Sequence, residues 1–335
     1  MKTILARLAE GAILTAPEAE DAFARVMDGQ ATPTQVAGLL TALRVRGETQ
    51  PELLGAVRAA RARMTRVTAP PGAIDVCGTG GDGMHTLNVS TATAFVVAAC
   101  GVPVAKHGGR AISSSSGAAD VLAELGIAQT PAEAESTLAS DGLGFLFAPN
   151  HHLGFRHGAQ ARAELGFRTL MNLIGPAANP AGVTRQLVGV FAPAWLRPMA
   201  ETLAELGATS AWVIHGAGLD ELTLSGPTQI CAWQHATMRE FIVTPDQAGL
   251  PQAPIAAIAG GAPAHNAAAL LALLQGAAGP YRDTVLLNAA AALLTAGMAD
   301  ELKEGAHTAA AAIDSGAALA KLDAIRAPIL EPLCR

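Results

Sequence analysis

Two glycine-rich turns contain the residue types best suited to bind phosphate groups. In the first, the apolar run Ala73 to Cys77 predicts a strand that ends in the turn Gly78 to Gly83. Glycines let backbone N–H groups close on an anion, and the predicted helix that follows, about Thr91 to Ala99, directs its positive end at the same point. Asn88 or Ser90 is expected to cap this helix. The pattern predicts an anion site.

The second turn repeats this arrangement and adds cationic side chains. Val102 to Ala105 predicts a strand, and the loop Lys106 to Arg110 follows it with the sequence KHGGR. Hydroxyl groups at Ser113 to Ser116 precede a predicted helix, Ala118 to Leu125. Because both turns follow strands and precede helices, we expect two phosphate sites.

A pair of adjacent acids, Asp220 and Glu221, follows the predicted strand Ser210 to His215. Ligands of open α/β sheets bind at the carboxyl ends of strands. Paired carboxylates on a loop are usually solvated, but Mg²⁺ typically takes one or two carboxylates together with phosphate oxygens of a substrate. Beside two predicted phosphate turns, this pair is a candidate Mg²⁺ site.

The first turn also satisfies the G-x-G-x-x-G pattern of dinucleotide-binding proteins. Such a site needs an acid near the end of the next strand to bind the ribose hydroxyls, whereas this chain has Lys106, His107 and Arg110 there. An NAD(P)-dependent oxidoreductase is therefore the less favoured alternative. His151 and His152 have no third ligand at a useful spacing, so we expect them to line a cleft or satisfy loop carbonyls rather than to bind a metal.

The same motifs carry a family resemblance. The strings GTGGD from Gly78, NVST from Asn88 and KHG from Lys106 resemble those of the anthranilate phosphoribosyltransferases, the tryptophan-biosynthesis members of the nucleoside-phosphorylase-like glycosyltransferases. The resemblance continues through FLFAPNHH, ELGFRT, NLIGPAANP and GLDE, and it covers nearly the whole chain. Ordered strings of this kind are more specific than a single glycine-rich turn.

The resemblance implies transfer of the phosphoribosyl group of phosphoribosyl diphosphate to the amine of anthranilate, with release of diphosphate and with Mg²⁺ as cofactor. The sequence has no G-x-S-x-G motif and no suitably flanked cysteine. We therefore expect direct displacement at the anomeric carbon without a covalent nucleophile, and no residue is assigned as one. Positioning and stabilisation of the leaving diphosphate would supply the catalysis.

The site residues implied by the resemblance fall into three groups. Donor binding is expected at Gly78, Gly81, Asp82, Thr86, Asn88, Val89, Ser90, Thr91, Lys106, His107, Gly108, Gly109, Arg110, Ala111, Ile112, Ser113, Ser114 and Ala118. Anthranilate binding is expected at Gly78, His107, Gly109, His152 and Arg162. Mg²⁺ binding is expected at Ser90, Asp220 and Glu221. An arginine fork at Arg162 suits the carboxylate of the aromatic substrate.

Three positions depart from the family pattern. The family has asparagine at the position of Gly109, serine at Ala118 and proline at Leu153. The first touches the acceptor site, the second a donor contact and the third the stiffness of a loop. A related enzyme with another aromatic acceptor and a pyrimidine nucleoside phosphorylase-like enzyme remain alternatives. A non-catalytic regulator on this scaffold would lose the acidic pair, which is present here.

Helices and strands must position these residues. The first 67 residues predict four short helices, with capping boxes that begin at Thr15, Thr32 and Thr49. After the stiff linker Ala69 to Gly72, apolar runs alternate with helices, which is typical of a mostly parallel sheet. The predicted fold class is α/β, with a small all-helical N-terminal domain and a larger α/β domain whose central sheet is flanked by helices. The domains are expected at 1–67, joined by about 162–180, and at 73–161 with 182–335.

Composition limits the partners of the protein. A net charge of −6 over 335 residues gives no basic surface for nucleic acid. No segment reaches the ~20 apolar residues of a membrane span, and Arg7 and Glu10 interrupt the first apolar run, so we expect no signal peptide. Four scattered cysteines fit free thiols in a cytoplasmic protein. The family resemblance implies a homodimer through the helical domain.

Overall fold

The chain begins with a bundle of four helices. The structure is a computed structural model that describes residues 1–109 and 116–326. The bundle contains α1 (Lys2–Ala9), α2 (Ala16–Met27), α3 (Pro33–Arg46) and α4 (Gln50–Arg61). The capping boxes predicted at Thr15, Thr32 and Thr49 are all present and begin α2, α3 and α4.

A seven-stranded sheet follows the bundle. Its spatial order is β3-β2-β1-β4-β5-β6-β7. The first five strands of that order are parallel, and β6 and β7 are antiparallel additions at one edge. The strands are β1 (Ile74–Gly78), β2 (Val104–Gly108), β3 (Leu143–Phe147), β4 (Arg185–Gly189), β5 (Ser210–Gly216), β6 (Thr228–Gln234) and β7 (Thr237–Val243). The predicted fold class, a helical domain plus a mostly parallel α/β domain, is confirmed.

Helices cover both faces of the sheet. They are α5 (Val89–Ala99), α6 (Ala118–Glu124), α7 (Pro131–Asp141), α8 (Ala148–His151), α9 (Arg156–Leu165), α10 (Met171–Ala177), α11 (Leu196–Glu205), α12 (Pro263–Leu274), α13 (Pro280–Ala296), α14 (Leu302–Asp314) and α15 (Ala317–Ile325). One hydrophobic core joins the sheet to α5 and to α12 through α15. A second core joins the opposite face to α10, α11 and the N-terminal bundle. The bundle is thus packed directly against the sheet.

The second strand differs from its prediction. Lys106 and His107 were expected in a loop, but both belong to β2, where they lie opposite Phe145 and Leu146 of β3. The predicted strand ends at Ala105 because the next two residues are polar. These two residues hydrogen-bond to β1, and the strand continues through them. His151, expected near a loop or a cleft, ends the short helix α8.

One further helix boundary differs by a few residues. The helix expected from Thr91 begins at Val89. Helix α9 begins at Arg156, after a single 3₁₀ turn at Leu153–Phe155. Helices α9 and α10 lie between β3 and β4 in sequence, yet they pack against α2, α3 and α4 of the bundle. The chain therefore crosses between the bundle and the sheet three times, after α4, after β3 and before β4.

A buried carboxylate fixes the geometry of the bundle. Glu52 is fully buried and accepts hydrogen bonds from Leu14 N at 2.9 Å and from Thr49 N at 3.0 Å. It also forms an ion pair with Arg46. The sequence predicted only the capping box of Thr49, whereas the same carboxylate also anchors the loop before α2 and the end of α3.

We predict that Glu52→Gln destabilises the bundle by about 3 kcal/mol or more, because it leaves Arg46 without its counter-charge in a buried site. Urea unfolding of the variant and the wild type measures this difference. Glu18→Gln, which alters the exposed capping box of α2, is the matched control and should cause a much smaller loss. Equal losses in the two variants would show that Glu52 acts only as a helix cap.

Candidate active site at the carboxyl ends of the parallel strands

Side-chain hydrogen bonds join β1 and β2 near their carboxyl ends. The two strands pair in register at one position, whereas β1 and β4 pair at five. Asp75 Oδ1 accepts a hydrogen bond from the backbone N of His107 at 3.0 Å. Lys106 Nζ donates to the carbonyl of Val76 at 2.7 Å. These side chains replace hydrogen bonds that a regular ladder would form between the two backbones.

Asp75 is a fully buried carboxylate between these two strands. Asn179 Nδ2 donates to Asp75 Oδ2 at 2.8 Å and also to the carbonyl of Ala105 at 2.8 Å. Burial raises the pKa of Asp75 to about 6, while Lys106 and the hydrogen bonds from Asn179 and His107 act in the opposite direction. The carboxylate thus connects β1, β2 and the chain after α10.

The segment 175–180, which contains the end of α10 and the three residues after it, is hydrogen-bonded through its backbone carbonyls. Each of its six backbone carbonyls accepts a hydrogen bond from a group elsewhere in the fold or at the following turn. The donors are His107 Nδ1 to Gly175 (3.0 Å), Gln186 Nε2 to Pro176 (2.9 Å), Arg61 Nε to Ala177 (2.8 Å), the His152 ring to Ala178, Gly182 N to Asn179 (3.0 Å) and Val67 N to Pro180 (3.2 Å). The 175–180 segment therefore connects the bundle, the linker and the sheet.

Two of those carbonyls fix the protonation of a histidine pair. His107 and His152 lie with ring centroids 5.0 Å apart, and Phe155 stacks on His152 at 5.1 Å. Each imidazole donates to a carbonyl of the 175–180 segment, which leaves Nε2 as the unprotonated atom. Burial lowers the pKa of His107 to about 3 and that of His152 to about 4. Both rings are therefore neutral at physiological pH.

The Nε2 atoms of this pair are buried and have no hydrogen-bond partner within residues 1–109 and 116–326. A buried acceptor without a donor is costly unless a ligand or water supplies one. The histidine pair therefore offers two lone pairs to an N–H donor. The prediction from sequence that His152 lines a cleft agrees with this geometry, and His151 instead hydrogen-bonds Thr65 O at 2.9 Å.

The first glycine-rich turn leads into the amino end of α5, as predicted. Gly80, Gly81 and Gly83 have positive φ angles of 68°, 72° and 79°, which glycine adopts without strain. Asp82 Oδ1 accepts from Met84 N at 3.0 Å and closes the turn. The turn therefore places backbone N–H groups beside the first turn of α5.

The acidic pair folds back over this turn. Asp220 Oδ2 accepts from Gly80 N at 2.6 Å, and Glu221 Oε1 accepts from Ser90 N at 3.1 Å. Burial and the neighbouring Asp82 raise the pKa of Asp220. Burial and Asp220 raise the pKa of Glu221 to about 8. The loop after β5 therefore presents two carboxyl groups to the amino end of α5.

Three strand-end glycines make room for the acidic loop. A Cβ on Gly78 would overlap the Asp220 carboxylate, and one on Gly189 would overlap the Asp220 backbone carbonyl. A Cβ on Gly216 would overlap the backbone carbonyl of Glu221. These glycines end β1, β4 and β5. The position of the two acids thus requires residues without a side chain at the ends of three strands.

We predict that Gly189→Ala destabilises the protein by about 1–3 kcal/mol or more, because the added methyl group must displace the Asp220 backbone. Gly226→Ala is the matched control, since a Cβ there meets nothing within 4 Å. Urea unfolding of both variants measures the difference. If Gly189→Ala is as stable as Gly226→Ala, the close approach of Gly189 to the acidic loop is wrong.

Lys106 connects strand β1 to the first turn of α5. Its ammonium group is buried and donates to Ser90 Oγ at 3.0 Å as well as to Val76 O. Its positive charge lowers the pKa of Asp75 and that of Glu221 against the larger effect of burial. Lys106 therefore balances part of the negative charge of the acids.

The oxygen groups of this site fit Mg²⁺. Asp220, Glu221 and Ser90 supply carboxylate and hydroxyl oxygens, the ligands that a hard cation prefers. Among the residues that the structure describes, no group of three or more His, Cys, Asp or Glu side chains is arranged to hold a metal. An incomplete protein shell suits Mg²⁺, which usually adds substrate phosphates and waters to one or two carboxylates.

Arg162 lies apart from this network, on α9. It is half-buried, and burial lowers the pKa of its guanidinium group. Within the described ranges it has no carboxylate ion-pair partner. A desolvated guanidinium without a counter-charge is a suitable partner for an anionic ligand.

The other predicted site residues divide into three sets. Val89 and Thr91 lie buried in α5, and Thr86 forms an isolated bridge with Ala259. Gly108 ends β2, Ala118 begins α6, and Gly109 O accepts from Ala119 N at 3.4 Å. Arg110, Ala111, Ile112, Ser113 and Ser114 lie outside the described residues. Leu153 is exposed and begins the 3₁₀ turn before α9.

Sequence reasoning missed several residues that position the site. Asp75 is the only acid in the apolar run before the first turn, and this isolated charge was a usable signal. Asn179, between two alanines and a proline, gave a weaker one. Asn266 and Tyr281, which hydrogen-bond Asn88 from 178 and 193 residues away, gave none.

Both parts of the chain match known protein families. Residues 2–64 match the family described as "Glycosyl transferase family, helical bundle domain", and residues 70–319 match "Glycosyl transferase family, a/b domain". The anthranilate phosphoribosyltransferase of Methylocella silvestris is 55% identical over 325 residues, which are 96% of this chain and 93% of the relative. That of Rhodopseudomonas palustris strain HaA2 is 54% identical over 96% of each chain.

Solved structures agree with the sequence relatives. The crystal structure of anthranilate phosphoribosyltransferase from Thermus thermophilus is 41% identical, with a TM-score of 0.91 over 96% of this chain and 98% of that one. The enzyme from Saccharomyces cerevisiae in complex with PRPP and Mg is 28% identical, with a TM-score of 0.87 over 97% of each chain. The same yeast enzyme has been solved with 4-fluoroanthranilate, at 26% identity and a TM-score of 0.85 over 97% of each chain. The chain belongs to the anthranilate phosphoribosyltransferase family.

Proposed function

We propose that this protein transfers the phosphoribosyl group of 5-phosphoribosyl 1-diphosphate to the amine of anthranilate. The products are N-(5-phosphoribosyl)anthranilate and diphosphate, and the reaction belongs to tryptophan biosynthesis. The observation that carries this proposal is the convergence of the amino end of α5, Lys106 and the acidic pair beside two neutral histidines. The helix end, Lys106 and the acidic pair suit a diphosphate with its metal ion, and the histidines suit an arylamine.

The donor diphosphate is placed at the amino end of α5. The positive end of the helix dipole lies at this point, and a helix amino end favours anions. Lys106 adds a fixed positive charge beside Ser90. As the glycosidic bond to diphosphate breaks, these groups stabilise the charge that develops on the leaving oxygen.

Mg²⁺ is proposed as the cofactor, with Ser90, Asp220 and Glu221 as its protein ligands. When bound, the ion supplies positive charge to the diphosphate leaving group. Burial and a neighbouring carboxylate raise the pKa of each acid, so a bound cation would favour their charged forms. The yeast relative solved with PRPP and Mg supports this assignment.

The acceptor is placed against His107 and His152. Two buried Nε2 lone pairs can accept the N–H groups of a neutral arylamine and orient its nitrogen lone pair towards the anomeric carbon. The amine nitrogen forms the new bond to that carbon as the bond to diphosphate breaks, and the nitrogen then gives a proton to the histidine Nε2 that it faces. Arg162, which lacks a counter-charge among the described residues, is proposed to bind the anthranilate carboxylate.

A related transferase with another aromatic amine as acceptor is a second candidate, and Gly109 favours it. An asparagine amide at this position in the family is replaced by a residue without a side chain. An added Cβ would meet nothing within 4 Å in the described structure, so glycine is not required there for space. Assaying anthranilate beside a small panel of aromatic amines separates the two candidates.

We further propose a cytoplasmic homodimer that pairs through the helical bundle. Two large apolar side chains of this region are solvent-exposed in the single chain, Ile13 at 57% and Val45 at 82%. No helix of the described residues has the length and apolar character needed to cross a membrane. Light scattering of the purified protein measures its mass, and Val45→Glu is expected to shift it towards the monomer.

The transfer reaction is tested by following anthranilate fluorescence. The signal should fall only when phosphoribosyl diphosphate and Mg²⁺ are both present. Excess EDTA should abolish the change. Unaltered turnover in EDTA would contradict the metal assignment, and no reaction with anthranilate would contradict the acceptor assignment.

We predict that Asp220→Asn combined with Glu221→Gln lowers kcat/KM on the order of 100-fold or more, because neutral amides cannot replace carboxylates on a hard cation. The Mg²⁺ concentration for half-maximal rate should rise as well. Glu240→Gln, which removes an exposed carboxylate of β7, is the control. Unchanged activity and Mg²⁺ dependence in the double variant would assign both acids to the scaffold.

We predict that Arg162→Ala raises the KM for anthranilate without a comparable change for the donor. Loss of a charge-assisted pair costs about 1.5–3 kcal/mol, or roughly 10- to 150-fold in affinity. Arg156→Ala is the matched control, since Arg156 lies on the same helix and makes no predicted substrate contact. An equal rise for both substrates would place Arg162 in the scaffold instead.

A further inference from the structure

Helix α5 begins with an asparagine that does not cap it. Asn88 occupies the N-cap position, where an asparagine Oδ1 normally accepts from a backbone N–H of the first helical turn. No such side-chain hydrogen bond is present at Asn88. The capping oxygen is instead directed towards another helix.

That oxygen is held by Asn266, near the start of α12. Asn266 Nδ2 donates to Asn88 Oδ1 at 2.9 Å, and Asn266 itself is 1% exposed. Asn266 Oδ1 accepts from the backbone N of Gly261 at 2.8 Å. Because a backbone N–H can only donate, the orientation of the Asn266 amide is fixed, and its NH₂ group must face Asn88.

The orientation of the Asn88 amide follows from that of Asn266. With Oδ1 engaged, Asn88 Nδ2 points the other way, and its only partner in the described structure is Ser116 O at the long distance of 3.5 Å. Tyr281 donates to the backbone carbonyl of Asn88 at 3.0 Å and holds the residue in place. Two hydrogen-bond donors therefore lie at the amino end of α5: the Asn88 NH₂ group, with its one long contact in the described structure, and the backbone N–H of Thr91, which Asn88 does not cap.

We propose that Asn266 is a positioning residue for the donor diphosphate. It withdraws Asn88 Oδ1 from the helix, so that Thr91 N stays available to the anion while Ser90 N is held by Glu221, and Asn88 presents its NH₂ group to the same oxygens. Without Asn266, Asn88 would cap α5 with its own oxygen and compete with the diphosphate. The inference rests on the proposed function because it assumes that the diphosphate binds at α5.

Two variants separate this role from a general effect on folding. Asn266→Ala removes the donor and lets Asn88 turn back onto the helix. Asn266→Asp keeps an acceptor for Gly261 N but cannot donate, so the Asn88 amide must reverse and present its oxygen to the diphosphate. His265→Ala is the matched control, since His265 is the exposed neighbour on α12.

The measurement is calorimetric binding of inorganic diphosphate with Mg²⁺, together with the KM of each substrate. We expect affinity for diphosphate to fall about tenfold in Asn266→Ala and further in Asn266→Asp, with the anthranilate KM within about twofold of wild type. The His265→Ala control should match the wild type. Unchanged diphosphate affinity in Asn266→Asp, or an equal loss for both substrates, overturns the inference.

A double variant provides the decisive control. In an Asn88→Ala background, Asn266→Ala should cause no further loss of diphosphate affinity, because the residue through which it acts is gone. Additive losses would contradict the inference. If the wild type binds diphosphate but does not use anthranilate, the proposed function fails while the assignment of Asn266 stands.

Discussion

The buried contact of Asp75 with β2 and with Asn179 is the constraint on which the rest of the site depends. It joins β1 to β2 and to the 175–180 segment through side-chain hydrogen bonds. Lys106 adds a second such link, because it donates to Val76 O of β1 and to Ser90 Oγ of α5. In a regular parallel ladder, backbone groups alone would join the two strands. One acid in an apolar strand thus helps to fix the place where the Lys106 ammonium group meets the amino end of α5.

The same contact determines how the bundle meets the sheet. Asn179 belongs to the 175–180 segment, whose carbonyls also accept from Arg61 of α4 and from both histidines of the acceptor side. The protonation of His107 and His152 is therefore linked to the docking of the bundle. A small helical domain contributes to the chemistry in this way without supplying the reacting groups.

Sequence patterns predicted the local features of this protein well. The capping boxes at Thr15, Thr32 and Thr49 depend on residues three positions apart, and the turn at Gly78 to Gly83 depends on adjacent glycines, so both can be read from short windows. The order of motifs also indicated the family and the fold class. What it could not indicate was the extent of β2, because Lys106 and His107 become strand residues only through partners on β1 and β3.

The remaining features depend on distant residues. Gly189 must be glycine because of the Asp220 backbone, and Asn88 leaves its helix uncapped because of Asn266. Neither requirement leaves a trace in the sequence around the residue concerned. Glu52 was predicted as part of a cap, while its role as the buried partner of Arg46 and of the loop before α2 needed the fold. Long-range packing therefore carries the information that the motifs lacked.

The central claim is that one cleft binds the diphosphate at α5 and the aromatic acid between the histidine pair and Arg162. A crystal structure with diphosphate, Mg²⁺ and anthranilate, which together cannot react, measures this most directly. The account predicts diphosphate oxygens within hydrogen-bond distance of the Asn88 amide and of Lys106. It also predicts the anthranilate amine at Nε2 of His107 or His152 and its carboxylate at Arg162. Diphosphate bound away from α5, or a carboxylate bound away from Arg162, would contradict it.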